Sequence, residues 1–446
     1  MKKKALILGM GKSGRASASF LVTRGYEVIG LDENIERLSS MQEIRDLEKI
    51  GVYVFSSKDP VNISSFDEII ISPGIPSNDP LLIEAKSCHI PIVGEVELAF
   101  RNIQNHRCVG ITGTNGKTTV TLLVTHILNQ CGYKARSLGN IGNPITENVD
   151  SLEPGEIVVA ELSSYQLETL TAKVFDAAVL LNVTPDHLDR YKNMEEYAGA
   201  KCRLQDCLKD QAPFFVFNEA SKEFGHLLSK HYTTFGDDIS SQYWSNGEMV
   251  KEFDHFEFFL PSQYHQMPRH DIMNILSAWC LCKTLGIEAN AFLSAIQTFT
   301  KPLHRLEFVK SIHGVEFYDD SKGTNIDSVI QAVKAMKGPV YLIAGGVDKG
   351  VSYTTWKDPF TRRVKEIIAL GMAAEKIYKE LGSFFKVTIV NSMEEAVLKA
   401  ASSAVSGEKV LLSPGCSSFD MFRDYAHRGI EFQRCVNQLE ERNQLL

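Results

Sequence analysis

The clearest chemical signal in the sequence is a glycine-rich loop that ends in lysine and threonine. Residues 110–119 read Gly-Ile-Thr-Gly-Thr-Asn-Gly-Lys-Thr-Thr, between a predicted strand, Cys108–Thr112, and a predicted amphipathic helix, Thr119–Gln130. Backbone amides of such a loop can surround phosphate oxygens, and the start of the helix adds partial positive charge. We therefore expect Lys117 to bridge the β- and γ-phosphates of a nucleotide, and Thr118 to offer its hydroxyl to Mg²⁺.

The spacing of this loop departs from the common phosphate-loop pattern. Gly-x-x-x-x-Gly-Lys-Ser/Thr requires a glycine at position 111, where this chain has Ile111, and the nearest glycines are Gly110 and Gly113. The alternative is a glycine-rich turn with an exposed lysine. Because the Gly-Lys-Thr ending, the strand and the helix coincide, the pattern favours a nucleotide site.

Two further side chains could serve a metal ion near this loop. Glu161 lies at the carboxyl end of the predicted strand Ile157–Leu162, where a carboxylate can reach a magnesium ion, although its spacing equally fits an acid at the start of a helix. His187 follows the predicted strand Ala177–Asn182. It could be a metal ligand, while a lone loop histidine is more often polar surface.

The first strand is also followed by a glycine turn. Gly9-Met-Gly11-Lys-Ser-Gly14 follows the apolar residues Lys4–Gly9, and Asp32 ends the next predicted strand. This resembles a dinucleotide fingerprint, so a pyrophosphate or similar anion could rest on the first helix. A tight turn without a ligand is the alternative. A second turn, Ser72-Pro-Gly74, either contributes to the same crevice or simply reverses the chain.

Three polar loops follow predicted strands in the last third of the chain. They are Asp320-Ser-Lys-Gly-Thr-Asn325, Gly345-Gly-Val-Asp-Lys-Gly350 and Ser413-Pro-Gly-Cys-Ser-Ser418. Loops at the carboxyl ends of parallel strands meet at one edge of a sheet. The sequence therefore predicts a binding crevice there, since three such loops together are less easily explained as solvated turns.

Strand and helix signals alternate along most of the chain, which predicts parallel sheets covered by helices. The 446 residues suggest about three domains. We expect three successive α/β domains, at residues 1–93 (Rossmann-like), 94–298 (a P-loop ATPase domain) and 299–446 (Rossmann-like). Pro91-Ile-Val-Gly94 is interpreted as a linker between the first two.

Composition excludes several classes of protein. The net charge of −8 gives no reason to expect a nucleic-acid partner. The nine cysteines are scattered without zinc-site spacing, which indicates reduced residues of a cytoplasmic protein. The sequence has no secretory signal and no run approaching the about 18 apolar residues of a membrane span.

Taken together, the motifs resemble the Mur ligases of bacterial cell-wall synthesis. The runs that carry the resemblance are Gly113–Thr119, Glu161–Glu168, Asn182–Arg190 and Pro302–Arg305. Asp320–Asn325 and Leu412–Phe419 look like those of the D-glutamate-adding branch, and the Asp-Asn-Pro-Arg signature of the diaminopimelate- or lysine-adding branch is absent.

The resemblance implies an ATP-dependent amide ligase of peptidoglycan precursor synthesis. Its substrates would be UDP-N-acetylmuramoyl-L-alanine and D-glutamate, joined through an acyl phosphate. It also implies two Mg²⁺ ions and a carbamate on Lys201 formed with carbon dioxide. We expect a monomeric protein, although no motif of the sequence fixes the oligomeric state.

The resemblance also implies roles for individual residues. The catalytic set is Lys117, Glu161, His187 and Lys201, and the metal ligands are Thr118, Glu161, His187 and carbamylated Lys201. The nucleotide contacts are Gly113, Thr114, Asn115, Gly116, Lys117, Thr118, Thr119, Asn274, Arg305 and Asp320. The UDP-substrate contacts are Ser13, Asp32, Gly74, Asn140 and His187, and the D-glutamate contacts are Lys322, Thr324, Lys349, Ser418 and Tyr425.

The chain departs from the family pattern at a few positions. Asp271 stands where the family usually has asparagine, and Tyr425 where phenylalanine is familiar. Glu33 and Asn34 replace the usual threonine and arginine after the N-terminal acid, which leaves the uracil and diphosphate contacts open.

Three other readings compete with this one. A folylpolyglutamate synthase-like ligase would lack the first-domain glycine turn. A nucleotide-binding regulatory ATPase would hydrolyse ATP without ligation, against which Lys117, Glu161, His187 and Lys201 argue. A nicotinamide dehydrogenase would explain only the first loop.

Overall fold

The computed structural model of the chain describes residues 2–76, 78–142, 144–229 and 231–443. Contacts divide the chain into two compact units. Unit 1 is Met1–Asn182 with Tyr197–Phe299, and unit 2 is Val183–Glu196 with Thr300–Leu446. Across the described ranges, each helix is too short or too polar to cross a lipid bilayer.

The N-terminal part of unit 1 is a five-stranded, wholly parallel sheet in the order β3-β2-β1-β4-β5. The strands are β1 (Lys4–Leu8), β2 (Glu27–Asp32), β3 (Tyr53–Ser56), β4 (Glu68–Ile71) and β5 (Ile92–Gly94). The helices are α1 (Lys12–Thr23), α2 (Ile35–Ser39), α3 (Gln42–Lys49), α4 (Pro80–Ser87) and α5 (Glu95–Phe100). Apolar residues of β1 and β4 are buried, as expected for a parallel sheet covered on both faces.

The interpretation of Pro91–Gly94 as a linker was wrong. Ile92–Gly94 forms β5 and pairs in parallel with β4, and Val93 is fully buried. The reason is that two β-branched residues complete the sheet edge, which stabilises them more than exposure in a linker would.

The rest of unit 1 is built on a nine-stranded sheet in the order β14-β13-β12-β11-β10-β9-β6-β8-β7. The strands are β6 (Cys108–Thr112), β7 (Ala135–Gly139), β8 (Ile157–Glu161), β9 (Ala177–Leu180), β10 (Phe214–Phe217), β11 (Thr233–Gly236), β12 (Tyr243–Ser245), β13 (Met249–Glu252) and β14 (His255–Phe259). All neighbours are parallel except β12–β13 and β13–β14. The helices are α6 (Lys117–Gln130), α7 (Ser164–Leu167), α8 (Met194–Cys202), α9 (Asn218–Phe224), α10 (Arg269–Thr284) and α11 (Ala289–Ile296).

Unit 2 contains a six-stranded sheet in the order β15-β16-β20-β17-β18-β19. The strands are β15 (Glu307–Ile312), β16 (Val315–Asp319), β17 (Val340–Gly345), β18 (Val364–Leu370), β19 (Lys386–Ile389) and β20 (Lys409–Leu412). Only the β15–β16 pair is antiparallel. The helices are α12 (Ile326–Ala335), α13 (Lys357–Phe360), α14 (Ala374–Leu381), α15 (Met393–Ser403) and α16 (Tyr425–Asn443).

The sheet of unit 2 has an apolar core on each face. One face packs Trp356, Phe360 and Ile377 against the strands, and the other packs Phe432 and Val436 of α16.

Short 3₁₀ turns in the described parts of the chain lie at Ile63–Ser65, Val149–Ser151, Arg203–Cys207, Gly225–Leu227, Ser262–Tyr264 and Tyr353–Trp356.

Candidate active site

The loop between β6 and α6 depends on two glycines with positive φ angles. Gly113 has φ 153° and Gly116 has φ 86°. A Cβ atom on Gly113 would lie 2.9 Å from the Leu181 Cβ, and one on Gly116 would lie 2.6 Å from the Asn274 Oδ1. Ile111, where the common pattern expects glycine, is fully buried inside β6. The glycine that the turn requires is therefore shifted to position 113.

Hydrogen bonds from the end of β9 fix this loop. The Thr114 amide donates to the Asn182 carbonyl at 2.9 Å. The Asn115 amide donates to Asn182 Oδ1 at 2.8 Å, and Asn182 Nδ2 donates back to the Asn115 carbonyl at 3.0 Å. Lys117 Nζ donates to the Gly113 and Thr114 carbonyls, both at 2.8 Å. The lysine is thus drawn over the loop, with Thr118 and Thr119 buried in the first turn of α6.

Lys201 lies beside the same loop although it is distant in sequence. It is buried on α8, and its Nζ donates to the Gly113 carbonyl at 2.9 Å. The Nζ is also 4.5 Å from the centroid of the Tyr197 ring, and the Tyr197 hydroxyl is 3.1 Å from Thr114 Oγ1. The structure therefore brings together Lys117, Lys201 and the glycine loop.

Glu161 lies on the strand next to the loop. It ends β8, where it pairs with Ile111 of β6, and it is 2% exposed. Its Oε1 accepts a 2.9 Å hydrogen bond from Asn140 Nδ2, and Asn140 also donates its amide to the Glu161 carbonyl at 2.9 Å. Its Oε2 is buried and has no hydrogen-bond donor among the described residues.

This carboxylate fits a divalent cation. Leaving a buried acceptor without a donor costs about 1–3 kcal/mol, and more for a charged group. Mg²⁺ prefers carboxylate and hydroxyl oxygens, so an ion at Glu161 Oε2 would satisfy the group. Asn140, predicted to contact the UDP-substrate, is here bound to Glu161.

The N-terminal glycine turn joins the ends of β1, β2 and β4. Asp32 Oδ2 accepts the Met10 amide at 2.7 Å, and Ser72 Oγ donates to the Gly9 carbonyl at 2.7 Å. A Cβ on Gly14 would lie 2.0 Å from the Gly9 carbonyl oxygen, so α1 packs directly on the turn. The second turn, at Ser72, therefore lies against the first, which favours the alternative in which both contribute to one crevice.

The remaining residues of this predicted substrate set are less constrained. Ser13 lies in the first turn of α1, and the Lys12 ammonium contacts the Gly142 carbonyl. Gly74 has open space around its Cβ position and no positive φ, so the structure gives no backbone reason for glycine there.

His187 belongs to unit 2 and has a positive φ of 56°. The preceding residue, Asp186, is buried and organises this segment. Its Oδ1 accepts the His187 amide at 2.9 Å and lies 3.1 Å from Lys349 Nζ. Its Oδ2 is 3.5 Å from Asn325 Nδ2.

The three polar loops of unit 2 lie at one edge of the sheet. They follow β16, β20 and β17, which are parallel neighbours in that order. The Gly415 amide donates to the Gly323 carbonyl at 2.8 Å, which joins two of the loops. Val347, on the loop after β17, pairs with Ser417, on the loop after β20. The prediction of a shared edge is therefore confirmed in the geometry.

Lysine and hydroxyl groups cluster on these loops. Lys322 Nζ donates to the Tyr425 hydroxyl at 3.0 Å and lies 4.1 Å from the centroid of its ring. Thr324 precedes Asn325, which caps α12, and Ser418 is buried at the end of the loop after β20. Lys349 stands on the loop after β17, held by Asp186 as described.

Asp320 is buried beside these loops rather than exposed to solvent. Its carboxylate accepts the Ser413 hydroxyl at 2.7 Å and the Leu306 amide at 3.3 Å. Burial raises the pKa of Asp320 to about 7, while the Ser413 hydrogen bond and the charge of Arg305 oppose the rise.

Arg305 is presented by a tight turn in which His304 and Leu306 both have positive φ. His304 Nδ1 lies 2.7 Å from Asp319 Oδ2, and this hydrogen bond raises the pKa of His304. His304, Asp319 and Glu307 could together hold a metal ion. Glu307 Oε2, however, accepts the His304 amide at 2.8 Å, so these groups already satisfy one another and clamp the turn.

Three family models match successive parts of the chain. Residues 3–94 match the Mur ligase MurD-like N-terminal domain, residues 111–282 the Mur ligase middle domain, and residues 304–416 the Mur ligase glutamate ligase domain. The chain belongs to the Mur ligase family. Its sheets are those of three α/β domains, as the sequence predicted.

A curated Mur ligase covers almost the whole chain. The UDP-N-acetylmuramoylalanine–D-glutamate ligase of Protochlamydia amoebophila is 48% identical over 437 residues, which is 98% of each chain.

Solved Mur ligases share the fold at lower identity. The UDP-N-acetylmuramate-alanine ligase MurC of Thermotoga maritima has a TM-score of 0.58 at 18% identity, covering 99% of this chain and 100% of that one. The MurF ligase of Thermotoga maritima, solved in complex with ADP, also has a TM-score of 0.58, at 16% identity over 92% of this chain and 95% of that one.

The structure of this Mur ligase adds residues that the sequence analysis missed. Tyr197 precedes Lys201 by one helical turn, a spacing that could have indicated their contact. Arg428 is buried on α16 and donates to the Ser321 carbonyl at 2.8 Å and the Cys416 carbonyl at 3.1 Å. It thereby joins two of the polar loops, and no local pattern predicts that contact.

Proposed function

We propose that this Mur ligase joins D-glutamate to UDP-N-acetylmuramoyl-L-alanine by ATP-dependent amide formation, a step of peptidoglycan precursor synthesis. The observation that carries the proposal is the cluster of donors, Lys322, Lys349 and Ser418, on adjacent loops of one sheet edge. An amino acid with two carboxylates is the kind of substrate such a cluster fits. The name of the relative that is 48% identical over nearly the whole chain supports the same reaction.

We assign one substrate to each part of the chain. Residues 1–93 take the UDP-substrate, residues 94–298 take ATP, and residues 299–446 take the amino acid. The UDP-substrate contacts are Ser13, Asp32, Gly74, Asn140 and His187. The turn that joins Gly9 to Asp32 and Ser72 supports an anion site at the start of α1.

In the first step, an oxygen of the alanyl carboxylate attacks the γ-phosphorus of ATP. The bond from that phosphorus to the β,γ-bridging oxygen breaks, and ADP leaves with the electron pair. Lys117 and the backbone amides of residues 113–119 screen the phosphates, and Asn274, Arg305 and Asp320 complete the nucleotide set. The acyl phosphate that forms has a far better leaving group than the carboxylate it replaces.

In the second step, the amine of D-glutamate attacks the acyl carbon. The tetrahedral intermediate collapses, the carbon–oxygen bond to phosphate breaks with the electron pair going to phosphate, and the proton lost by the nitrogen passes to the leaving phosphate or to water. Lys322, Lys349 and the hydroxyls of Thr324 and Ser418 hold the two carboxylates of the amino acid, with Tyr425 beside Lys322. Because both carboxylates are anchored, the amine is the group left to react.

Magnesium, when bound, screens the negative charge that builds up between the carboxylate and the triphosphate. We assign two ions to Thr118, Glu161, His187 and Lys201, the last as a carbamate. The buried Glu161 Oε2 without a described donor supports this assignment. A carbamate on Lys201 would add anionic oxygens while keeping an N–H group for the Gly113 carbonyl, which the lysine contacts now.

Phosphate release tests the reaction. The protein, ATP and Mg²⁺ are supplied with UDP-N-acetylmuramoyl-L-alanine and D-glutamate singly and together, and with L-glutamate as the stereochemical control. We expect release only with both substrates and the D-isomer, and loss of turnover in a folded Lys117→Ala variant. Release that ignores both substrates would overturn the proposal in favour of a simple ATPase.

A further inference from the structure

Two of the loops in unit 2 are joined edge to edge just before the residues assigned to D-glutamate. Val347, after β17, and Ser417, after β20, form an antiparallel bridge. The Val347 amide donates to the Ser417 carbonyl at 2.9 Å, and the Ser417 amide donates back at 3.2 Å. Lys349 and Ser418 follow within two residues of this bridge. The register of the two loops therefore sets the separation of the two donors.

A chain of side chains crosses the same two loops. The Cys416 Sγ, on the loop after β20, is 2.9 Å from the Tyr353 hydroxyl. That hydroxyl donates to Asp348 Oδ1 at 3.1 Å. Lys376 Nζ, from α14, donates to Asp348 Oδ2 at 2.8 Å and to the Val351 carbonyl at 3.0 Å. Asp348, the neighbour of Lys349, is thus linked through Tyr353 to Cys416, which lies two residues before Ser418.

The chemistry of the groups gives the chain a direction. An ionised carboxylate only accepts, so the Tyr353 hydroxyl donates to Asp348. The thiol of Cys416 must then donate to the tyrosine oxygen. Burial raises the pKa of Cys416 to about 11, which keeps that proton on sulfur. Bonds aligned in this way strengthen one another, and the Lys376 ammonium neutralises their end.

We propose that Tyr353, with Asp348 and Cys416, is a positioning residue for the amino-acid substrate. Through this chain it holds Lys349 and Ser418 at the separation that the two carboxylates of D-glutamate require. Tyr353 itself does not touch substrate: it is 1% exposed, and its ring packs 5.1 Å from Trp356. The inference rests on the proposed function and deepens its account of the D-glutamate site.

The first test is Tyr353→Phe, which removes the hydroxyl and keeps the ring in the core. The matched control is Tyr341→Phe, which changes another buried tyrosine of unit 2, on β17, whose hydroxyl donates to the Ser403 carbonyl at 2.8 Å. We expect KM for D-glutamate to rise about tenfold in Tyr353→Phe, since one hydrogen bond to a charged group is lost. Its kcat and its KM for ATP should stay unchanged, and Tyr341→Phe should leave all three unchanged.

A second pair of variants tests the direction of the chain. Cys416→Ser keeps a donor for Tyr353 and should retain the wild-type KM for D-glutamate, whereas Cys416→Ala should raise it. Equal KM values for D-glutamate in wild type, Tyr353→Phe and Cys416→Ala would overturn the inference. An equal rise in the KM values for D-glutamate and for ATP in Tyr353→Phe would also overturn it, because that would indicate a merely structural role.

The outcomes also separate this inference from the proposed function. An active wild-type protein whose Tyr353→Phe variant binds D-glutamate normally overturns the inference alone. A wild-type protein that does not ligate D-glutamate at all overturns the proposed function, and the inference with it.

Discussion

Three buried carboxylates, one in unit 1 and two in unit 2, differ in their surroundings, and the surroundings decide what each can do. Glu161 has one oxygen bound by Asn140 and one without a described donor, so it can accept a cation. Asp319 is bound by His304 and Gln433, so it clamps a turn. Asp320 is buried with partners that only partly offset the cost of its charge. Sequence reasoning named Glu161 and Asp320 but could not distinguish these environments, because the contacts join residues far apart in the chain.

The protonation of Asp320 gives unit 2 a pH-dependent stability. Burial raises its pKa from 3.8 to about 7. The raised pKa contributes stability that is complete below about pH 4 and is lost as the pH rises through about 7. Asp320→Asn removes this titration. We therefore expect the free energy of unfolding of wild type, relative to Asp320→Asn, to fall over that range. Urea unfolding followed by Trp356 fluorescence, with Trp244→Phe and Trp279→Phe present in both proteins, measures it, and parallel pH profiles for the two proteins would contradict the expectation.

The role of Lys201 is tested by removing its side chain. We expect Lys201→Ala to lower ligase activity by about 10–100-fold, as loss of a group that supports a metal site commonly does. An added short-chain carboxylate should restore part of it, because it replaces the oxygens of the proposed carbamate. Lys209→Ala, which removes a more exposed lysine paired with Asp176, is the control. Full activity of Lys201→Ala, with an unmodified lysine in the wild type by mass spectrometry, would remove the carbamate from the account.

At the scale of elements, the site is a set of loops at the carboxyl ends of parallel strands. This much follows from the sequence, since apolar strands such as Cys108–Thr112 alternate with polar loops, and that strand was predicted at its observed bounds. The helix α16 was not predicted, although Phe432, Cys435, Val436 and Leu439 have helical spacing. The short β5 was taken for a linker because its pairing with β4 is a tertiary property that three residues do not reveal.

The role of the turn before α6 can be tested at Gly116, with Gly132 at the other end of the helix as the control. Gly116 and Gly132 flank the helix with almost the same positive φ, 86° and 85°. A Cβ at Gly116 would lie 2.6 Å from Asn274 Oδ1, whereas one at Gly132 meets nothing within 4 Å. Alanine at either position should cost about 1–2 kcal/mol of stability.

Only Gly116→Ala should also weaken ATP binding, by about tenfold, because either the loop or the Asn274 side chain, both assigned to the nucleotide, must shift. Calorimetric titration of ATP into both variants measures the difference. Equal ATP affinity in the two would mean that the loop does not contact the nucleotide.

At the scale of the whole molecule, the chain consists of two compact units. Proteins with several units depart from two-state unfolding, so each unit has its own unfolding midpoint. A ligand should raise the midpoint of the unit that binds it. Tryptophan fluorescence can follow the two units separately. The chain has three tryptophans: Trp244 and Trp279 lie in unit 1, and Trp356 lies in unit 2. The assignment of ATP to the glycine loop and of D-glutamate to the polar loops therefore predicts which unit each ligand stabilises.

We expect ATP to raise the unfolding midpoint reported by Trp244 and Trp279 in a Trp356→Phe variant. D-Glutamate should raise the midpoint reported by Trp356 in a Trp244→Phe/Trp279→Phe variant. A ligand at a hundred times its Kd stabilises by about 2.7 kcal/mol, which is readily detected. L-Glutamate serves as the control ligand. A D-glutamate effect confined to unit 1 would contradict the assignment of the amino acid to unit 2.

The central claim is tested most directly by mass spectrometry of the nucleotide product. The protein is incubated with ATP, Mg²⁺, UDP-N-acetylmuramoyl-L-alanine labelled with ¹⁸O in its carboxylate, and D-glutamate. We expect a UDP product that carries one added glutamyl residue and keeps one of the two ¹⁸O atoms, with the other ¹⁸O atom in the released phosphate, because one carboxylate oxygen leaves with the phosphoryl group. An unchanged UDP-substrate despite ATP consumption, or phosphate free of the label, would contradict it.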